Sequence, residues 1–245
     1  MLRSSEGPMD EPSSTDHRDG VPILAARDLR LAYGPTPALR GVSIDVVPGE
    51  VVVLSGRSGS GKTSLLYCLS GIVRPQSGTV IYGNRRLGEE DDEALSELRL
   101  REFGFVFQFG ELVPELTLLE NVTLPMWLAG ERRRVARERA TELLERLGIA
   151  SEADRRPSQV SGGQAQRAAV ARSLVHAPRL VFADEPTGSL DSETKRNVLA
   201  EFVGLARLMN SAVLMVTHEA DAIDFADRHL VMADGRIESM ASTPR

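Results

Sequence analysis

The sequence contains one cysteine, Cys68, among 245 residues, and a single thiol cannot form a disulfide within the chain. Such a chain is typical of a reducing compartment, where Cys68 in the run SLLYCLSG serves as a small buried hydrophobe. The N-terminus lacks a basic segment followed by a hydrophobic one, so no signal peptide is predicted. The apolar runs, such as VVVL and AVLMV, are strand-sized and far shorter than the about 20 residues that cross a bilayer. We therefore expect a soluble, cytoplasmic protein.

A surplus of positive charge is also missing, because 29 lysines and arginines stand against 35 aspartates and glutamates, for a formal net charge of −6. Nucleic-acid-binding proteins usually carry a basic surplus or stripe. No nucleic acid is therefore expected among the partners. The length suits one large core, or a core with a subsidiary lobe.

The chain divides into a central domain and two short tails. Residues 1–20 are polar and rich in serine, proline and aspartate, which predicts a disordered N-terminal tail, and residues 242–245 form a C-terminal tail. Within residues 21–241, antiparallel strands come first, and strands then alternate with helices, including expected helices at residues 193–208 and 219–227. About residues 110–176 are mostly helical and are interpreted as an inserted subdomain. The expected fold class is α/β, with an antiparallel subdomain, a mainly parallel sheet flanked by helices, and this helical insert.

The segment GRSGSGKT, residues 56–63, follows a buried strand and opens a helix, which is the context that a phosphate-binding loop requires. Its glycines let backbone N–H groups point at the β- and γ-phosphates of a nucleotide. Lys62 supplies a charge between those phosphates, and the hydroxyl of Thr63 can bind Mg²⁺. An incidental glycine-rich turn is the alternative, which the flanking elements disfavour. The candidate nucleotide-binding residues here are Gly56, Arg57, Ser58, Gly59, Ser60, Gly61, Lys62, Thr63 and Ser64.

The run RLVFADE predicts a buried strand that ends in Asp184 and Glu185. Ligands of such sheets bind beyond the carboxyl ends of the strands, so both carboxylates are expected near the phosphate loop. Asp184 would bind Mg²⁺ directly or through water, and Glu185 would polarise a water for attack on the γ-phosphorus. Taken alone, such a pair is more often a solvated turn, but the phosphate loop favours the catalytic interpretation.

A second anion-binding pattern, VSGGQ at residues 160–164, lies far downstream. Two adjacent glycines follow a small polar residue and precede a helical run. The free N–H groups and the positive dipole end of such a helix attract a phosphate. One small domain thus carries two phosphate-binding patterns that are distant in sequence.

The order of these motifs resembles the nucleotide-binding subunit of ATP-binding-cassette (ABC) transporters over residues 22–240. The other motifs of that family also occur here. They are a glutamine loop at Gln108, the signature at residues 160–164, SLD at residues 189–191 and a switch histidine at His218. In this family two cassettes pack head to tail, and each ATP lies between the phosphate loop of one and the signature of the other. The resemblance therefore implies a homodimer with two ATP sites, which accounts for the two patterns in one chain.

The resemblance also implies roles for single residues. Tyr33 matches the aromatic residue that stacks on adenine, with a core tyrosine at a strand end as the alternative. Gln108 matches a residue that contacts Mg²⁺ and relays its presence to the helical lobe, with an exposed strand end as the alternative. Asp191 matches a residue that communicates across the dimer, and His218 one that contacts the γ-phosphate. The signature residues that would cap that phosphate are Ser161, Gly162, Gly163 and Gln164. The implied catalytic residues are Glu185, His218 and Gln108, the implied magnesium ligands are Thr63, Gln108 and Asp184, and the implied cofactors are ATP and Mg²⁺.

Two segments, GFVFQFGELVPELTLLENVTLPM and ADEPTGSLDSET, resemble the cassettes of lipoprotein release, macrolide export and cell division. The resemblance implies a separate membrane permease, work in export or extraction, and a position on the inner face of the cell membrane through that permease. Residues 109–128 would form the groove that receives a coupling helix of the permease, or only the core of the helical lobe, and Trp127 fits either. A soluble or regulatory ABC ATPase, for example in cell-envelope or division control, is the alternative function.

Overall fold

A computed structural model describes residues 20–108, 111–188 and 190–242 of the chain. Nearly all of the two expected tails, residues 1–19 and 243–245, lies outside the described residues. The strands are β1 Leu24–Tyr33, β2 Thr36–Val46, β3 Val51–Ser55, β4 Ser77–Tyr82, β5 Arg85–Arg86, β6 Phe103–Val106, β7 Leu180–Asp184, β8 Ala212–Val216, β9 Arg228–Ala233 and β10 Arg236–Ser242. The α-helices are α1 Lys62–Leu69, α2 Asp92–Glu102, α3 Leu118–Leu128, α4 Arg133–Arg146, α5 Gly162–Leu174 and α6 Ser192–Leu208. Short 3₁₀ helices occupy Leu87–Glu89, Ala150–Glu152, Pro157–Gln159 and Ala220–Phe225.

The strands form two sheets. An antiparallel sheet has the order β2-β1-β4-β5, and a second sheet has the order β10-β9-β3-β8-β7-β6. In the second sheet β9, β3, β8, β7 and β6 are parallel, and β10 pairs antiparallel with β9. The expected α/β fold with a mixed β core is thereby confirmed.

Strand β3 lies between two hydrophobic cores. Its side chains alternate, so Val51 and Val53 pack into the core beneath α3, α4, α5 and α6. Val52 and Leu54 pack into the other core, together with α1 and the antiparallel sheet. Because successive side chains of a strand point to opposite faces, one short apolar run joins the two halves of the domain. Because both faces of β3 are buried, the strand has four consecutive hydrophobic residues instead of an alternating pattern.

The register of the parallel strands aligns their carboxyl ends. Leu54 and Asp184 both pair with Val216, and Ala183 pairs with Val106. The residues that follow β3, β6, β7 and β8 therefore emerge along one edge of the sheet. All of the candidate catalytic groups follow these four strands, so this edge positions the site.

Two elements differ from the expectations. Helix α2 was not predicted, because its sequence is dominated by charged residues and only Leu95 and Leu98 are buried. The helix expected at residues 219–227 is wrong in type and length, since the structure has a 3₁₀ helix at Ala220–Phe225. The chain returns to extended backbone at Ala226, and Asp227 then hydrogen-bonds with Val51 through its backbone N–H at 2.8 Å and its carboxylate at 2.9 Å. Pairing with β3 thus ends the helical turn early. Among the described residues, no helix combines the length and the apolarity needed to cross a membrane.

Candidate functional site

The glycine-rich loop, residues 56–63, takes a backbone path that side chains would block. Gly56 and Gly61 have positive φ angles of 150° and 104°. A Cβ atom on Gly56 would lie 2.2 Å from the carbonyl oxygen of Met232, and one on Gly61 would lie 2.3 Å from that of Ala38. The loop is thus wedged between β9 and β2, with glycine required at both contacts.

The interior of this loop presents polar groups suited to a phosphate. Lys62 is 6% exposed, and its Nζ donates to the carbonyl oxygens of Gly56 at 2.8 Å and Arg57 at 3.1 Å. The Oγ of Ser60 is buried and has no hydrogen-bond partner among the described residues. Helix α1 begins at Lys62, and its N-cap residue, Gly61, has no side chain that could accept from the first N–H groups. Those N–H groups therefore remain available to an anion. A buried ammonium, an unpaired hydroxyl and open N–H groups together fit a nucleotide phosphate.

Thr63 and Asp184 bring two oxygen ligands to the same edge. The Thr63 Oγ1 donates to the Asp184 Oδ1 at 3.3 Å, although the two residues are far apart in sequence. Burial raises the pKa of Asp184, and the bond from Thr63 partly offsets that effect. No cluster of three or more His, Cys, Asp or Glu residues suited to a metal occurs in the described part of the chain. A hydroxyl and one carboxylate fit Mg²⁺, which usually completes its coordination with water and substrate phosphates.

Glu185 and His218 form a second pair at this edge. The His218 Nδ1 lies 3.0 Å from the Glu185 Oε1. Glu185 has a positive φ of 45°, and its backbone N–H donates to the Val216 carbonyl at 2.8 Å. A left-handed conformation in a residue other than glycine costs about 1–2 kcal/mol and clusters at functional sites. The strained backbone turns the Glu185 carboxylate towards the end of β8, where His218 follows.

Gln108 packs over the turn that follows Glu185. A Cβ atom on Gly188 would lie 2.9 Å from the Gln108 Nε2, and the Gly188 N–H donates to the Glu185 carbonyl at 3.1 Å. The glutamine side chain therefore covers the segment that carries the candidate general base. Its position follows from β6 ending at Val106, two residues earlier.

The signature segment caps its own helix and faces outward. Ser161 is the N-cap of α5. Its Oγ accepts from the Gln164 N–H at 3.3 Å, and the Gln164 side chain accepts from the Ser161 N–H at 2.9 Å. Ser161 and Gly162 are exposed, and a Cβ on Gly163 would lie 2.9 Å from the Cγ2 of Thr194 on α6. In the described residues, no hydrogen bond joins residues 56–63 to residues 161–164. One copy of the chain thus leaves the signature open to solvent.

Asp191 and Tyr33 are also exposed. Asp191 is the N-cap of α6, and its Oδ1 accepts from the Thr194 N–H at 3.1 Å. A hydrogen bond from the Thr194 side chain, together with this one from its backbone, lowers the pKa of the Asp191 carboxyl. Tyr33 ends β1 with 54% of its surface accessible, which argues against the core-tyrosine alternative. Ser189, of the SLD triplet, lies outside the described residues.

A buried glutamine that sequence reasoning missed joins the signature helix to this edge. Gln166 is 2% exposed, and its Nε2 donates to the carbonyl oxygen of Phe107 at 3.3 Å and to that of Pro186. These carbonyls adjoin Gln108 and Glu185. The available signal was a polar residue in a helix of small apolar ones, directly after the signature.

A groove of about 430 Å³ opens beside the glutamine loop. Its walls include Phe103, Phe105, Phe107, Glu111, Leu124, Pro125, Leu128, Arg99, Arg172 and His176. The segment expected to form it, residues 109–128, divides between groove and core. Leu118, Leu119, Val122 and Met126 are buried in the core that α3 shares with β3 and α6. Trp127 packs against that core, and the Arg133 guanidinium lies 5.6 Å from the centre of its ring. Phe109 and Gly110 lie outside the described residues.

The chain is similar to known proteins over most of its length. The family model described as ABC transporter matches residues 39–188. The lipoprotein-releasing system ATP-binding protein LolD 2 of Caulobacter vibrioides is 43% identical over 221 residues, covering 89% of this chain and 97% of that protein. The corresponding LolD of Maricaulis maris is 45% identical, covering 83% and 89%. Among solved structures, dimeric MJ0796, a bacterial ABC transporter cassette, matches with a TM-score of 0.83 and 33% identity over 90% of this chain and 98% of its own. The same cassette in a post-hydrolysis state bound to ADP and Pi matches equally well.

Proposed function

This chain belongs to the ABC transporter family as an ATP-binding and ATP-hydrolysing subunit, and from this premise we propose that it powers the release of lipoproteins from a membrane. The names of the relatives at 43% and 45% identity support that substrate class. The observation that carries the site assignment is the convergence of the phosphate loop, Asp184, Glu185 and His218 at one sheet edge. The phosphate loop follows β3, Asp184 and Glu185 lie at the end of β7, and His218 follows β8.

In this proposal residues 56–63 wrap the β- and γ-phosphates of ATP. The ammonium of Lys62 exchanges its bonds to the loop carbonyls for bonds to phosphate oxygens. Thr63, Asp184 and Gln108 would hold Mg²⁺, which neutralises charge on the phosphates when bound. Tyr33 stacks on the adenine ring, where its exposed face is available.

Hydrolysis requires a water in line with the γ-phosphorus. Glu185 accepts a proton from this water as its oxygen bonds to phosphorus and the bond to the β–γ bridging oxygen breaks. The His218 Nδ1 holds the Glu185 carboxylate, as the 3.0 Å contact supports, and the same imidazole would contact the γ-phosphate. The strained backbone of Glu185 fits this role, because strain aims the carboxylate before the substrate binds.

The second ATP contact comes from another copy of the chain. We propose a head-to-tail homodimer in which Ser161, Gly162, Gly163 and Gln164 of one copy contact the γ-phosphate bound by the other, and Asp191 faces the partner. The outward-facing signature supports this arrangement, and so do the dimeric structures of the cassette MJ0796. Because the γ-phosphate lies between both copies, its loss on hydrolysis opens the dimer.

The permease is proposed to dock in the groove beside Gln108. The groove is largely apolar and lies between β6 and α3, and Leu128 at its rim is 66% exposed. A helix inserted there would contact Phe107 directly and could move Gln108, the next residue. The proposed helical subdomain, about residues 110–176, would move with it. This docking would keep the chain on the inner face of the cell membrane.

The experiment that tests the function uses the Glu185→Gln variant, tagged and produced in its own host. Membranes are solubilised with ATP and Mg²⁺ present, and the proteins that co-purify are identified by mass spectrometry. A polytopic permease with a large extracytoplasmic domain is the expected partner. Release of lipoproteins from vesicles that contain the wild-type complex would then confirm the substrate class. Recovery of soluble partners alone would contradict the transporter assignment and favour a regulatory ATPase.

The same variant tests the hydrolytic mechanism. Glu185→Gln is expected to bind ATP, to dimerise in its presence and to hydrolyse it at least about 100-fold more slowly, because general base catalysis contributes on that scale. Wild-type turnover would mean that another group positions the water.

A further inference from the structure

Glu219, the residue after His218, is held through both of its carboxylate oxygens. The Lys195 Nζ lies 2.6 Å from the Glu219 Oε1, and the Thr187 Oγ1 donates to the Glu219 Oε2 at 2.9 Å. The Glu219 side chain is 11% exposed and that of Lys195 is 22% exposed. The ion pair is thus partly shielded from solvent.

These contacts connect three segments of the site. Thr187 lies two residues after Glu185, the candidate general base. Lys195 lies in the first turn of α6, and its backbone N–H donates to the carbonyl of the N-cap, Asp191, at 2.9 Å. Glu219 is adjacent to His218, which contacts Glu185. The bridge therefore links the exposed N-terminus of α6 to both sides of the Glu185–His218 pair.

Attachment of α6 to the domain does not depend on this bridge. Val198, Leu199, Phe202 and Val203 bury the apolar face of the helix in the core. A neighbouring ion pair, Arg196 with Asp224 at 3.3 Å, joins the same helix to the same segment, but its side chains are 57% and 60% exposed. Exposed pairs contribute little to stability. The Lys195–Glu219 bridge is thus distinguished by its place beside the site and by its lower exposure.

We propose that Lys195 and Glu219 form a positioning bridge that couples Asp191, at the dimer face, to the Glu185–His218 pair. This inference rests on the proposed roles of Asp191, Glu185 and His218. A single copy already has the Lys195–Glu219 and His218–Glu185 contacts, and a partner copy that contacts Asp191 would restrain the first turn of α6 and thereby Lys195 and Glu219. His218 then stays within hydrogen-bond distance of Glu185. Neither bridge residue touches ATP, so the bridge acts on the alignment of the catalytic pair and not on nucleotide affinity.

The test measures kcat and KM for ATP with full-length Lys195→Met, Glu219→Gln and their double variant. Each single variant is expected to lower kcat by about tenfold with KM changed by less than about twofold, because binding contacts are intact and the transition state is misaligned. The double variant is expected to be no slower than the slower single one, since both substitutions remove one interaction. Lys195→Arg, which keeps the charge, should restore most of the rate. Arg196→Met removes the exposed pair and should leave kcat unchanged.

Three outcomes would contradict the proposed positioning role of the bridge. They are an unchanged kcat in both single variants, a rise in KM alone, or a loss of kcat in Arg196→Met equal to that in Lys195→Met. Melting temperatures are measured in parallel, and if Lys195→Met does not fold, Glu219→Gln and Lys195→Arg carry the test. The Glu185→Gln variant separates this inference from the proposed function. Wild-type turnover in Glu185→Gln contradicts the proposed catalytic role itself. An inactive Glu185→Gln together with fully active bridge variants contradicts only the bridge.

Discussion

Replacing Asn121 by alanine is expected to lower the free energy of unfolding more than the same replacement at an exposed asparagine would. Asn121 lies in α3 and is 0% exposed. Its Oδ1 accepts from the Val113 N–H at 2.7 Å. Its Nδ2 donates to the carbonyls of Val113 at 3.0 Å, Leu116 at 3.3 Å and Thr117 at 2.9 Å. One side chain thus fixes the loop of residues 111–117 that joins the glutamine loop to α3.

The size of the loss follows from these contacts. The amide has two N–H groups for three carbonyls, so about three hydrogen bonds are lost in all, each with a net value of about 1 kcal/mol. The Val113 and Thr117 carbonyls keep a second donor, from the N–H groups of Leu116 and Asn121. The penalty for an unpaired group therefore falls on the Val113 N–H and on the Leu116 carbonyl. We expect a loss of about 3 kcal/mol, which for a domain of this size lowers Tm by roughly 6–12 °C.

Urea unfolding followed by tryptophan fluorescence measures this loss, because the chain contains one tryptophan and Trp127 lies in the same helix. Asn197→Ala is the matched control, since Asn197 is exposed in α6 and the same substitution there should change the free energy of unfolding by less than about 0.5 kcal/mol. If Asn121→Ala costs less than about 1 kcal/mol, or no more than the control, water replaces the amide and the loop does not depend on it.

Three further predictions concern the nucleotide site and the groove. Lys62→Ala should abolish ATP binding measured by calorimetry, because the phosphates lose their buried ammonium, and an unchanged affinity would contradict the assignment of residues 56–63. Ser161→Arg, combined with Glu185→Gln, should still bind ATP but fail to form the ATP-dependent dimer in size-exclusion chromatography. A dimer that persists would rule out the shared site. Burial lowers the pKa of His176, so the unfolded chain binds its proton more readily than the folded one. Stability should therefore fall as the pH drops from about 6.5 towards the lower folded-state pKa. His176→Gln should show a smaller loss between pH 7 and pH 5 in urea unfolding, and an equal loss would exclude His176 as the cause.

The phosphate loop and the acidic strand end could be predicted because each is encoded in one contiguous segment. The run EVVVLSGRSGSGKT contains the strand, the turn and the helix start together, and RLVFADE contains a strand with its carboxylates. The N-cap role of Ser161 is also encoded locally, since a capping box needs only residues three apart. Helix α2 escaped prediction because its charged surface hides the two buried leucines. The helix expected at residues 219–227 was wrong because a distant strand, β3, competes for Asp227.

The sequence by itself therefore determined the fold class, the family and the residue types at the nucleotide site, since these depend on periodicity and on motifs of a few residues. Only the tertiary structure decided which distant groups meet. It places Glu185 against His218, connects Gln166 to Phe107 and Pro186, and joins Lys195 to Glu219 and Thr187. Each of these contacts depends on the register of parallel strands or on how α5 and α6 pack against the sheet. Such relations arise from burial of whole elements, and no local pattern in the chain encodes them.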